Sequence, residues 1–183
     1  MNMIIKLTSI LMMITTMIGT YDHPISHPEL TVGPDAGVEF KYVWECPYSY
    51  EDQEYIKTTA ESYGISHYLV FAIIEHESQW NPKSISKSEL DKGAMQIRVK
   101  WHKDRMKRLG VTNIYDLRSN VLVGVNYLAE LFAINSDVEW ALMAYNGSPS
   151  YANDKAREGI VSDYAKEIIS RTREWEGVKP GGE

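Results

Sequence analysis

Ala72-Ile73-Ile74-Glu75-His76-Glu77-Ser78-Gln79-Trp80-Asn81-Pro82 decides how this chain folds, because an apolar run passes into polar residues and then meets a proline. Leu69, Val70, Ile73 and Ile74 repeat with helical spacing. Pro82 lacks an amide donor and clashes with the preceding turn, so the helix ends before it. On a wheel advancing about 100° per residue from Leu69, residues Ile73, Val70 and Ile74 fall at roughly 40°, 100° and 140°. Glu77 lands at about 80°, inside that stripe, and Glu75 at about 240°, on the far side. A carboxyl facing the core is costly to ionise, so its pKa rises and it can hold a proton near neutral pH as a general acid. Glu77 is therefore the candidate catalytic group, and Glu75 reads as a solvated surface residue. The competing reading is structural: a glutamate near a helix end turns out to water or pairs with a neighbour such as His76.

Outward from this stretch, Ser66 is placed to cap the central helix, which should run to about Gln79. A helix is expected over 50–63, with Tyr55, Ile56, Thr59, Ala60 and Tyr63 inward and Gly64 at its stop. Residues 83–92 are polar and serine-rich, a surface loop leading into Gly93-Ala94-Met95-Gln96-Ile97. There a glycine lets the backbone come close to a neighbour and Gln96 offers a donor and an acceptor. The plainer alternative is a tight turn with Met95 and Ile97 plugging the core. Helices are expected over 98–109, from 116–120 onward with Leu122, Val125, Leu128, Ala129 and Phe132 inward, and over 138–145 behind an Asp137 cap. Gly124 permits close helix contact. The segment 148–159 reads as a loop and 160–175 as the last helix, bearing Tyr164, Ile168, Ile169 and Arg171. With no sustained strand alternation and no internal repeat, the fold class is mainly α.

The 183 residues make one domain of ordinary size, and the net charge of -6 argues against nucleic acid as a partner. Lys100, Lys103, Arg105, Lys107 and Arg108 form a local basic cluster, read as a solvated helix face that would also favour an anionic polymer. The one cysteine, Cys46, excludes an internal disulfide and any multi-cysteine metal site. Lys6 precedes an apolar run, 7–18, that is short for a bilayer span and suited to a signal peptide, with small residues Gly19 and Thr20 after it. The alternatives are an uncleaved anchor or a buried helix. The expected organisation is a signal peptide at 1–20, an irregular arm or linker at 21–50 carrying His-Pro twice, a helical domain at 51–175 and a tail at 176–183. His23 and His27 have ligand-like spacing but prolines after both, and coincidence explains them better than a metal.

Four ordered segments carry a resemblance: Glu77-Ser78-x-Trp80-Asn81-Pro82, Gly93-Ala94-Met95-Gln96-Ile97, Asn120-Val121-x-x-Gly124-x-x-Tyr127-Leu128 and Ala141-Leu142-x-Ala144-Tyr145-Asn146-Gly147. Across about residues 52–172 the chain resembles the soluble lytic transglycosylase family of the lysozyme-like superfamily. The resemblance implies a single lysozyme-like helical domain that cleaves the β-1,4 bond between N-acetylmuramic acid and N-acetylglucosamine in peptidoglycan. It makes Glu77 the sole acid/base and Ser78 a support of that helix end, within the substrate-binding set. Met95 and Gln96 inherit groove positions, with Ala94 where the family has leucine. Tyr145 and Asn146 match the Ala-Tyr-Asn motif, which implies a tyrosine hydroxyl beside the carboxyl. Tyr164 matches a further groove tyrosine, across a segment at 148–161 whose spacing departs from the family's. In this family the ionised glutamate then takes a proton from the muramyl 6-hydroxyl, which closes a 1,6-anhydro ring, so no metal or organic cofactor is implied. The implied partner is the peptidoglycan glycan strand, cut by an exported monomer in the periplasm or envelope. Work within a secretion, conjugation or phage apparatus, including a virion or lysis protein, fits the same residues.

Two-carboxylate glycosidases need a second Asp or Glu, and none stands out: Asp91 lies near the Gly-Met-Gln turn and Asp104 in a basic helix. A hydrolytic lysozyme using Asp91 or Asp104 is the nearest rival. A non-catalytic glycan-binding component of an envelope-spanning apparatus is the rival from another class, with Trp80, Trp101, Trp140 and Tyr151 as stacking surfaces, although aromatics at helical spacing are more often core. His76-Glu77-Ser78-Gln79-Trp80 misses the zinc-protease pattern His-Glu-x-x-His at its last position.

Overall fold

Polar caps set the ends of the helices in the computed structural model, which describes residues 44–177. Helix α1, Tyr50–Ser62, starts where the Ser49 side chain accepts from the Asp52 amide. Helix α2, His67–Ser78, starts after Ser66, whose side chain makes no capping bond although its carbonyl accepts from the amides of Leu69 and Val70. A minimal hairpin follows, β1 Asp91–Lys92 antiparallel to β2 Ile97–Arg98. Helix α3, Val99–Arg108, runs on from β2. Asp116 caps α4, Leu117–Ile134, and Asp137 caps α5, Val138–Asn146. Helix α6 is Pro149–Glu158 and α7 is Asp163–Gly177. The signal segment expected at 1–20, most of the arm at 21–50 and the tail beyond 177 lie outside the described residues. Among those residues, no helix is long and apolar enough to cross a membrane.

The core forms around α2, whose residues Leu69, Val70, Phe71, Ala72, Ile73 and Ile74 are all buried. Such all-round burial marks a central helix rather than a surface one. Its most extensive partner is α7, followed by α1, while α1 pairs with α4, and α5 with α4 and α7. At the N-terminal edge, Gln53 in α1 exchanges hydrogen bonds with the Trp44 backbone and donates to the Tyr48 carbonyl at 2.9 Å. Trp44 is buried against Phe71 and Tyr68, so the described end of the expected arm, 44–49, packs as part of the domain.

Several expectations are corrected. The segment 148–159 is a helix, not a loop: Ser148 accepts from the Tyr151 amide, Pro149 occupies the first turn and Gly159 ends it with φ 66°. Only Ala152 of α6 is buried, so the segment carries capping signals without apolar periodicity. Replacing Ser148 with alanine should therefore cost about 1 kcal/mol in urea unfolding. The last helix begins at Asp163, not 160, with Ser162 accepting from the Ala165 amide. The inner side of α4 is Asn120, Val121, Val123, Gly124, Val125, Leu128 and Leu131, while Leu122, Ala129 and Phe132 are partly buried, because the helix is packed on more than one side. Arg105 leaves the expected solvated basic face: it is buried, bonds Asn126 and pairs with Glu130 at 2.8 Å. Glu75 is not merely solvated, since it accepts from the Trp175 indole at 3.0 Å and pairs with Arg171 at 3.3 Å. Trp80 and Trp140 are core aromatics, Trp80 packing edge-on to Tyr48 and Trp175 and Trp140 donating to Asn153.

Candidate active site

The last turn of α2 delivers Glu77 to the floor of a cavity of about 160 Å³, lined also by Ser86, Asp91, Gln96, Ile97, Arg98, Trp101, His102, Tyr127, Tyr145 and Asn146. Directly after that turn the backbone is left-handed at two residues that are not glycine, Gln79 at φ 50° and Trp80 at φ 66°. For an indole-bearing residue that conformation is strained. The surrounding Tyr48, Phe71 and Trp175 rings, with centroids 5.4 to 6.0 Å from Trp80, hold it there. The helix thus breaks off one residue past the carboxyl, and the chain turns back instead of covering it.

Helix α7 braces that end. The Tyr164 hydroxyl donates to Glu77 Oε1 at 2.7 Å, and Trp175 and Arg171 hold Glu75 as described above. His76 Nδ1 lies 3.3 Å from Glu167, which Arg171 also grips at 2.9 Å. Burial pushes the Glu77 carboxyl above the usual carboxylate range. The Tyr164 hydrogen bond and the charge of His76 pull the other way, while the charge of Asp91 adds to the upward push. Burial outweighs the stabilising contacts, which leaves an acid that keeps its proton further toward neutrality than an exposed glutamate does.

The opposite wall is built by the 93–96 turn. Gly93 has φ 82° and lies so close to Asn120 that a Cβ there would overlap its side-chain amide. Asn120, fully buried, accepts from the Met95 amide at 2.7 Å and donates to the carbonyls of Lys92 and Ile114 at 2.9 Å each. At Gly124 a Cβ would stand 2.5 Å from Met95 Sδ, so the two small residues and the asparagine together seat this turn on α4. Gln96, again left-handed at φ 48°, donates through Nε2 to the Gly93 carbonyl at 2.9 Å and the Ser84 carbonyl at 3.3 Å. Its donor end is thereby held by the turn.

Of the residues singled out from sequence, the structure brings Glu77, Gln96, Tyr145 and Asn146 to one cavity and sets Tyr164 against its acid. Met95 and Ser78 stand elsewhere. The Met95 side chain is fully buried against Gly124, and the Ser78 hydroxyl is turned back onto the Ile74 carbonyl at 3.0 Å, so both support the walls without lining the cavity. The tyrosine bonded to the carboxyl is Tyr164. Tyr145 donates instead to the Met95 carbonyl at 3.0 Å, which ties α5 to the turn. Burial and the nearby Glu77 charge push both phenols well above their ordinary range, so each remains a donor.

Arg98 and His102 were not singled out by the sequence. The His102 ring lies tilted against Tyr127, 4.6 Å between centroids, and accepts at Nδ1 from Arg105 Nε at 3.2 Å. Burial, with the Arg105 charge, lowers it to about 4, so it is neutral near pH 7 with its proton on Nε2. Asp91 is held by Arg98 through two bonds of 2.6 and 2.8 Å. Both Asp91 oxygens are thus engaged by one guanidinium, whereas Glu77 has a single neutral hydroxyl donor on Oε1. Among the described residues, no three His, Cys, Asp or Glu side chains converge as a metal site requires.

Residues 54–168 match the transglycosylase SLT domain. A transglycosylase of Enterobacteria phage PRD1 is 34% identical over 100 residues, covering 55% of this chain and 36% of that protein. Membrane-bound lytic murein transglycosylase F 1 of Alkalilimnicola ehrlichii is 30% identical over 112 residues, covering 57% of this chain and 22% of the relative. The chain thus spans well under half the length of these relatives. The X-ray structure of an inactive mutant of lytic transglycosylase Slt from Pseudomonas aeruginosa covers 70% of this chain and 25% of its own, with a TM-score of 0.58 at 19% identity, a likeness of fold. The matched domain extends from α1 into α7 and includes every wall of the cavity, and the chain belongs to the transglycosylase SLT domain family.

Proposed function

We propose that this protein is a peptidoglycan lytic transglycosylase that cuts the β-1,4 bond between N-acetylmuramic acid and N-acetylglucosamine, with Glu77 as its single acid and base. The observation that carries the reading is a carboxyl held above its usual pKa at a groove floor, hydrogen-bonded by Tyr164 at 2.7 Å, while the other carboxylate of the groove is tied to Arg98. Protonated Glu77 gives its proton to the glycosidic oxygen as the bond to the muramyl C1 breaks and positive charge develops on that sugar. The N-acetylglucosamine side leaves as an alcohol. The resulting Glu77 carboxylate removes the proton of the muramyl 6-hydroxyl, whose oxygen bonds to C1 and closes the 1,6-anhydro ring. Glu77 ends protonated and no water is consumed. The two-bond hold of Arg98 on Asp91 favours this route over hydrolysis, because a lysozyme-type second carboxylate needs a free oxygen facing the sugar.

The site of action is the cell envelope, reached by export through the apolar segment at 7–18. The likeness to a phage transglycosylase supports use by a phage as well. Mass spectrometry of the fragments released from purified sacculi tests the reaction: anhydro ends, lighter than hydrolytic ends by one water, are expected, and hydrolytic ends alone would refute it.

Tyr164→Phe gives a second check. The hydroxyl stabilises the ionised form of Glu77, so its removal raises the Glu77 pKa further. The high-pH limb of the activity profile, where Glu77 loses its proton, should then move to higher pH, with kcat falling about tenfold from lost positioning. A limb that stays in place or moves down would separate Tyr164 from the acid.

A further inference from the structure

Trp101 is 62% exposed, a large apolar surface on a wall of the cavity that holds Glu77. Four other tryptophans are placed differently: Trp44, Trp140 and Trp175 are buried and Trp80 is partly buried in the core. The Trp101 ring is also braced. The Arg98 guanidinium sits over it with 4.3 Å from its central carbon to the ring centroid, and that guanidinium is fixed in plane by its two bonds to Asp91. Asp91 and Arg98 are register partners across the β1–β2 hairpin, so the brace is anchored in the backbone. An exposed indole ordinarily samples several rotamers; one with a locked cation on one face has lost much of that freedom before any ligand arrives. Around it the cavity also presents polar groups from Ser86, Gln96, His102 and Asn146. A rigid apolar ring beside hydroxyl and amide groups suits a pyranose, which offers a face of C–H bonds and a rim of hydroxyls.

We infer that Trp101, braced by the Asp91–Arg98 pair, is a stacking platform for a sugar ring of the glycan strand. It is a binding residue that contacts the strand beside Glu77 and recognises the carbohydrate rather than the peptide stem. This rests on the proposed function, since it takes the cavity as the seat of the glycan. Arg98 and Asp91 act through Trp101, with their charges satisfied by each other and no charged ligand group required.

Binding is measured in the full chain carrying Glu77→Gln, with a peptide-free N-acetylglucosamine hexamer as the probe. Adding Trp101→Ala should weaken binding about tenfold, the range of a lost aromatic contact, and Trp101→Phe should recover most of it. Arg98→Ala, which frees the ring, should fall between. The hexamer should shift tryptophan emission in the Glu77→Gln chain, and the shift should disappear with Trp101→Phe. In the otherwise unaltered chain, Trp101→Ala should raise KM with kcat kept within about twofold, the pattern of a contact made equally in ground and transition states. Equal hexamer affinity with and without Trp101 would overturn the inference. So would a loss seen only with peptide-bearing fragments, which would assign the ring to the stem. Turnover by Glu77→Gln alone would instead sink the proposed reaction, and the hexamer comparison would stand apart from it.

Discussion

Glu77→Gln is expected to lower the release of sacculus fragments by about 1,000-fold or more while raising the melting temperature at pH 7. The first effect follows from a proton transfer worth about 100- to 10,000-fold, lost here from a group that serves both bond cleavage and ring closure. The second follows from the cost of ionising a half-buried carboxyl. Between the pKa of the unfolded chain, about 4.3, and the raised value in the fold, the native state binds more protons than the unfolded one, so stability falls as pH rises through that window. Above it the wild type carries the full penalty. Glutamine carries none and still accepts from Tyr164 through its amide oxygen. The stability gain should therefore be largest near neutrality and shrink toward zero below about pH 4. Thermal melts of both chains at pH 3.5 and 7, beside the lysis assay, check this. A variant that lyses sacculi normally, or that melts lower than the wild type at pH 7, would remove Glu77 from the acid's role.

The partial burial of Glu77 was legible in the sequence, because one polar residue stood inside an apolar stripe. Helix starts were legible in part: Asp137 caps its own helix as expected, a relation confined to three residues, whereas Ser66, expected to cap α2, makes no side-chain capping bond. What could not be read is what depends on distant partners. Glu75 looked solvated because its wheel position faces away from the stripe, and only α7, a hundred residues on, places Trp175 against it. The same helix supplies the hydroxyl bonded to Glu77, that of Tyr164, while Tyr145, also near that carboxyl, donates to the Met95 carbonyl. Helix α6 went unread although Ser148, Pro149 and Gly159 mark both its ends, since periodicity was the primary signal and Ala152 alone is buried. Nor does composition announce left-handed backbone at Gln79, Trp80 and Gln96, residues held there by their surroundings rather than by intrinsic preference. Of these three, Trp80 is held by the rings of Tyr48, Phe71 and Trp175, and Gln96 lines the groove.

Asn120→Ala should destabilise the fold by about 3–5 kcal/mol, measured by urea unfolding. Its side chain satisfies the Met95 amide and the carbonyls of Lys92 and Ile114 in a fully buried place, and alanine would leave all three without that partner. Gly93→Ala attacks the same contact from the other side. Its Cβ would overlap the Asn120 amide and approach the Ile114 carbonyl to 2.9 Å, in a backbone conformation at φ 82° that alanine resists. A loss of about 2–4 kcal/mol is expected. The pair should not add: with the amide gone the new methyl has room, so the double variant should recover about 1 kcal/mol or more of the summed losses, the remainder being set by φ and the Ile114 carbonyl. Strict additivity would mean that glycine and asparagine act separately. Coupling would mean that the turn presenting Gln96 to the groove is held as one unit by a single buried amide, so that a change in α4, which lines the cavity only through Tyr127, reaches the wall facing Glu77.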